Sequence, residues 1–145
     1  MKHFFSLFLF FGIFSCNIDQ SEYSELHTSK NFPQKWELIQ MRFPSENIQQ
    51  EGLKMAWQES YLLLPDSTFL KKRMTNTETI TAEGKFYTEK LNNEIYIRFE
   101  FDKTSVDLEE DPFSENERLL MTNDNVMVLT SEYQGKKQIL DYRLK

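Results

Sequence analysis

The chain has 145 residues, 39% hydrophobic, 14% aromatic and 28% charged, with a net charge of -6 and one cysteine. That length fits one compact domain, and the composition excludes collagen, coiled-coil and disulfide-scaffold classes. The acidic balance repels phosphate backbones, and no Lys/Arg stripe interleaved with aromatics is present, so no nucleic-acid partner is expected.

Met1-Lys2-His3 forms a short basic segment, and Phe4 to Phe14 is an apolar run broken only by Ser6 and Gly12. A stable bilayer span needs about 20 apolar residues, so residues 1–15 read as a signal peptide. The ending Ile13-Phe14-Ser15-Cys16 resembles the lipobox of bacterial lipoproteins, with an aliphatic residue three before the cysteine and a small residue just before it. The resemblance implies cleavage before Cys16, diacylglycerol on its thiol and further acylation, as with palmitate, of the new amino terminus. Several chains, at about 0.8 kcal/mol per buried CH₂, make such an anchor effectively permanent. The alternative is a plain secretory signal followed by an incidental cysteine. Residues 16–31 are polar, lack a helix or strand period and read as a flexible tether; Asp19, Glu22 and Glu25 could alternatively serve as an export signal.

From residue 32 to 145 short apolar bursts alternate with turn chemistry. Lys35 to Phe43 is the first predicted strand, ended by Pro44-Ser45-Glu46-Asn47, because proline cannot donate to a ladder. Asn47 to Ala56 is the one place with a hint of helical period. Trp57 to Leu64 and Thr68 to Thr75 form a hairpin through Pro65-Asp66-Ser67. Thr79 to Thr88 follows, carrying Gly84, and then Glu94 to Phe101 alternates strictly, with Ile95, Ile97, Phe99 and Phe101 on one face. Arg118 to Thr122, Val126 to Tyr133 and Gln138 to Leu144 complete eight strands. Short connections make neighbours antiparallel, and eight such strands can close as an up-and-down barrel able to hold one small ligand. A β-sandwich is the rival all-β arrangement.

Lys35-Trp36-Glu37-Leu38-Ile39, the Tyr61 to Phe69 hairpin, Glu83-Gly84-Lys85-Phe86-Tyr87 and Leu140-Asp141-Tyr142-Arg143 together resemble, in order, the small lipocalin-like domains found among bacterial lipoproteins. Ser67 stands where that family's turn favours glycine. The resemblance implies an eight-stranded barrel over residues 32–145, with Trp36 closing one end beneath Arg143. The alternative is an indole that is simply core and a solvated arginine.

Chemistry-bearing motifs are few. His3 leaves with the signal peptide, His27 sits in the tether and Cys16 is spent on lipid, so neither a nucleophile–histidine pair nor a Cys/His zinc site is expected. Gly52, Gly84 and Gly135 are too far apart for a phosphate cradle. Glu59 and Glu83 interrupt strands and are the candidate acid–base pair; the competing reading has them face solvent or balance Lys71, Arg73 or Lys85 across strands. Six acids lie between Asp107 and Glu117, but Pro112 and Arg118 occupy the positions where a calcium loop needs glycine and glutamate. Trp57, Tyr61, Phe69, Phe86, Ile97 and Phe99 would line a ligand pocket if they point inward, or else form plain core.

The expectation is therefore a non-enzymatic lipoprotein of the cell envelope, held at the outer membrane by its lipid. It would need no metal or cofactor and would bind a small apolar or amphipathic molecule in the barrel. The alternative is a ligand-free module that docks an envelope protein or glycan.

Overall fold

A computed structural model describes residues 32–102, 116–122 and 124–145. The signal peptide, the tether and Cys16 lie outside the described residues, as do the acids from Asp107 to Glu115. The strands are β1 (Gln34–Phe43), β2 (Ile48–Glu51), β3 (Gln58–Leu63), β4 (Thr68–Met74), β5 (Thr79–Leu91), β6 (Glu94–Phe101), β7 (Asn116–Met121), β8 (Val126–Tyr133) and β9 (Lys136–Leu144). All neighbours are antiparallel, and β9 pairs back onto β1, from Trp36↔Leu144 to Arg42↔Ile139. That last pairing closes β1 and β3 to β9 into an eight-stranded up-and-down barrel and removes the sandwich alternative.

β2 stands outside the ring. It pairs only with the second half of β1, Gln40↔Glu51 to Phe43↔Ile48, while β3 takes the first half of the same edge. The expected hint of helix over 47–56 is therefore wrong: that stretch holds β2 and the 3₁₀ turn Gly52–Lys54. It lacks an apolar stripe to bury against the barrel, whereas as a strand it satisfies the free edge of β1. The Gln40 amide fastens it further, donating to Glu51 at 2.6 Å.

Local chemistry sets each turn. Pro65-Asp66-Ser67 is a three-residue loop in which the Ser67 N–H donates to Leu64 O and Ser67 takes φ 65°, the left-handed position that ordinarily favours glycine. Asn92-Asn93 and Gln134-Gly135 are two-residue turns with positive φ at both centres, the form whose twist matches the flanking strands. Within β1 a bulge between Leu38 and Gln40 shifts the alternation, so Trp36, Leu38 and Met41 all face inward.

Inward side chains fill the lumen, among them Trp36, Leu63, Phe69, Phe86, Ile97, Phe99, Leu119 and Met127. β5 passes close to β6 at one point, where a Cβ on Gly84 would lie 2.0 Å from the Glu100 carbonyl oxygen. Only a residue without a Cβ fits there. Gly84→Ala is expected to cost about 1–3 kcal/mol through forced separation of the two strands, read as a lower urea midpoint; an unchanged midpoint would show that this approach is not tight.

Candidate functional site

Along β3 the inward residues run Leu63, Tyr61, Glu59, with Trp57 just before the strand; along β4 they run Phe69, Lys71, Arg73. The Pro65-Asp66-Ser67 turn sets the register, so Leu63 opposes Phe69, Tyr61 opposes Lys71 and Glu59 opposes Arg73. The lumen is thereby apolar toward the β3–β4 turn and charged toward the opposite end.

Lys71 is fully buried, and its ammonium lies 3.2 Å from Glu59 Oε1 and 2.7 and 2.9 Å from the two oxygens of Glu117. Arg73 Nε donates to Glu59 Oε2, Tyr142 donates to Glu59 Oε1 at 2.5 Å, and the Tyr61 hydroxyl donates to Glu117 Oε2. The Lys71 Nζ also sits 4.8 Å from the centre of the Tyr61 ring. Two cations and two anions thus form a neutral cluster with every carboxylate oxygen occupied, as buried charges require.

Burial alone would raise the Glu59 carboxyl. The charges of Lys71 and Arg73, with hydrogen bonds from Tyr142 and Arg73, outweigh it and hold the group below its ordinary value of 4.5. Burial, then the nearby carboxylates, push the Tyr61 and Tyr142 hydroxyls well above 10. A depressed acid stabilises the fold fully above its ordinary value and loses that contribution as pH falls through the lower folded value. A raised tyrosine contributes fully below 10 and loses its contribution as pH rises beyond it. The melting temperature is therefore expected to fall on the acid side of about pH 4.5 and the alkaline side of about pH 10. A flat profile across both limits would contradict the cluster.

Beside the charged end lies a cavity of about 250 Å³, walled by residues that include Trp57, Arg73, Glu117, Tyr133, Gln138 and Leu140. The Arg73 guanidinium rests 4.5 Å from the Trp57 ring centre, and the Tyr133 ring packs 5.3 Å from the same indole. Of the six residues expected to line a pocket, only Trp57 borders this cavity. Tyr61, Phe69, Phe86, Ile97 and Phe99 pack against one another in the core, with ring centres 4.5 Å apart for Tyr61–Phe99 and 4.8 Å for Phe69–Phe99.

Trp36 is buried, its indole donating to Gln34 Oε1 at 3.2 Å. Arg143 is exposed on the outer face opposite Glu37, because strand alternation sends Tyr142 inward and Arg143 outward. The arginine-over-indole contact occurs at Arg73 and Trp57 instead. Glu83 is exposed while Glu59 is buried, so the two do not face each other as an acid–base pair. Glu59 instead balances Lys71 and Arg73. Glu117 belongs to β7 and to this cluster, and no metal-binding group of His, Cys, Asp or Glu occurs among the described residues.

Compared with protein-family models, curated proteins and solved structures, the chain matches none.

Removing one member of the cluster strands the others. Lys71→Met is expected to destabilise the barrel by about 3–5 kcal/mol, since two buried carboxylates lose their shared cation. Adding Glu59→Gln and Glu117→Gln to it is expected to recover part of that loss in urea unfolding, and no loss in the single variant would show the cluster to be solvated.

Proposed function

We propose that the protein is a lipoprotein of the bacterial cell envelope, anchored at the outer membrane through lipid on Cys16, whose barrel carries a small amphipathic ligand. The observation that supports the carrier reading is the cavity of about 250 Å³ at the charged end of a closed barrel. Barrel mouths are favoured ligand sites, being concave and combining apolar walls with a few placed polar groups. Here Trp57, Leu129 and Leu140 supply the apolar walls, and Gln138 and Arg73 the polar ones. The anchor reading is supported by the sequence of residues 1–16.

Catalysis is not part of this reading. The Glu59 side chain is wholly enclosed, and its carboxyl is held ionised by Lys71 and Arg73, so it has no proton to donate near neutral pH. Its neighbour Glu117 is bound by the same lysine.

Native mass spectrometry of the barrel domain, from about residue 30 and taken directly from cell extract, tests the carrier. A cavity this size suits about ten non-hydrogen atoms, scaled from a 150 Å³ cavity that accepts benzene, so an added mass on the order of 150 Da is expected. A bare mass would favour the docking module. Fatty-acid labelling of the full chain, lost in Cys16→Ser, is the expected result for the anchor; equal labelling of the variant would refute it.

A further inference from the structure

The barrel wall is joined unevenly. Among the described residues the β7–β8 seam holds from Leu119↔Leu129 to Met121↔Met127, the shortest in the ring. Beyond it both strands continue but part company: Asn116 to Arg118 stay paired with β6, and Thr130 to Tyr133 stay paired with β9. The cavity lies in that fork, bordered by Asn116, Glu117 and Arg118 on one side and by residues 129–133 on the other. The seam closes again at Leu119↔Leu129, so the slot has an end and suits a short segment.

Strand geometry fixes what β8 presents to the fork. The Thr122 N–H donates to Val126 O across the seam at 2.8 Å, so Val126 directs its backbone groups toward β7, and the period of two gives Val128, Thr130 and Glu132 the same direction. Met127 and Leu129 are buried in the lumen, which sends the Thr130 and Glu132 side chains to the outer face. Glu132, an exposed residue, therefore borders the cavity by its backbone edge: its N–H and C=O are aimed across the fork, where no strand of the described residues pairs with them. Trp57, Leu129 and Leu140 supply apolar side chains to the same space. Water can satisfy the free edge but not the apolar wall. An occupant that does both carries an N–H and a C=O at strand spacing with an apolar side chain between them, as a peptide does in strand addition. The volume suits about ten non-hydrogen atoms, one residue with a peptide group on either side. We propose that the cavity takes a short peptide in extended form, which exchanges both backbone hydrogen bonds with Glu132 and turns its apolar side chain toward Leu129 and Leu140. This rests on the carrier reading and names its ligand class.

The test uses the full chain in detergent micelles, labelled with ¹⁵N so that the backbone amide signals of Glu132 and, as a control inside the closed seam, Val128 are followed during titration. Three probes of matched size are used: N-acetyl-L-alanine N′-methylamide; its D enantiomer; and methyl O-acetyl-L-lactate, which puts an ester oxygen in place of each N–H. The L-diamide is expected to move the Glu132 amide signal downfield and leave that of Val128 in place. The ester is expected to bind roughly tenfold more weakly, the loss of about one hydrogen bond. The D-diamide is expected to bind more weakly than its enantiomer, because its methyl group leaves on the outer face when its backbone pairs. Glu132→Pro removes the N–H aimed at the fork while the bonds to β9 come from its neighbours, and a loss of at least roughly tenfold in L-diamide affinity is expected.

Equal binding of ester and L-diamide would overturn the peptide class and leave a carrier of other amphipathic molecules. Equal binding of the two enantiomers, or a folded Glu132→Pro protein that keeps its affinity, would overturn strand pairing at this edge. A Glu132 signal unmoved by all three probes would overturn the inference and leave water as the edge's partner. The ester and enantiomer comparisons use the unaltered protein, so they decide the matter even where the proline variant fails to fold. The carrier reading itself stands or falls on the mass measurement.

Discussion

A lysine ammonium enclosed on all sides is the constraint around which this barrel is arranged. Lys71 enters the lumen from β4 and is met by Glu59 from β3 and Glu117 from β7, while Tyr142 from β9 completes the Glu59 shell. These partners lie 46 residues apart for Lys71–Glu117 and 83 for Tyr142–Glu59, so the cluster crosses the lumen where backbone pairing cannot. Its value lies in specificity more than in net energy, because desolvation offsets most of the Coulomb gain in a buried pair. A one-residue slip of β4 would turn Lys71 outward and bring Leu70 and Lys72 in, leaving Glu117 and Glu59 without their cation.

The same cluster divides the interior. Toward the β3–β4 turn the lumen is packed with aromatic rings. Toward the other end the charged side chains hold one another through hydrogen bonds, and the cavity lies beside them. Arg73 links the cluster to the cavity: its Nε holds Glu59 and its guanidinium lies over Trp57. A binding function would thus be a by-product of how the barrel accommodates its own charges.

Much of the fold was legible in the sequence because period-two alternation and turn chemistry are local. β6 is the clearest case, Ile97 and Phe99 facing inward as its pattern required. The excursion into β2 was not, since Ile48-Gln49-Gln50-Glu51 is polar and becomes a strand only because β1 offers an unpaired edge. The charged interior was harder. Lys71 and Arg73 share a face with Phe69, and Glu59 shares one with Tyr61 and Leu63, yet long charged side chains ordinarily face water. The signal that could have revealed the cluster is the three-residue turn at Pro65-Asp66-Ser67, which sets Glu59 opposite Arg73 and Tyr61 opposite Lys71. The place of Glu117 depends on closure of the barrel, which no local pattern encodes. Arg143 shows the converse error: a resemblance placed it over Trp36, whereas alternation along β9 sends it outward.

A high-resolution crystal structure of the protein purified without added ligand is the decisive measurement for the buried cluster and its cavity. Lys71 is expected between Glu59 and Glu117 inside the closed barrel, with the adjoining cavity open beside Trp57 and Arg73 and holding electron density. A collapsed or empty cavity with Lys71 turned to solvent would contradict this arrangement.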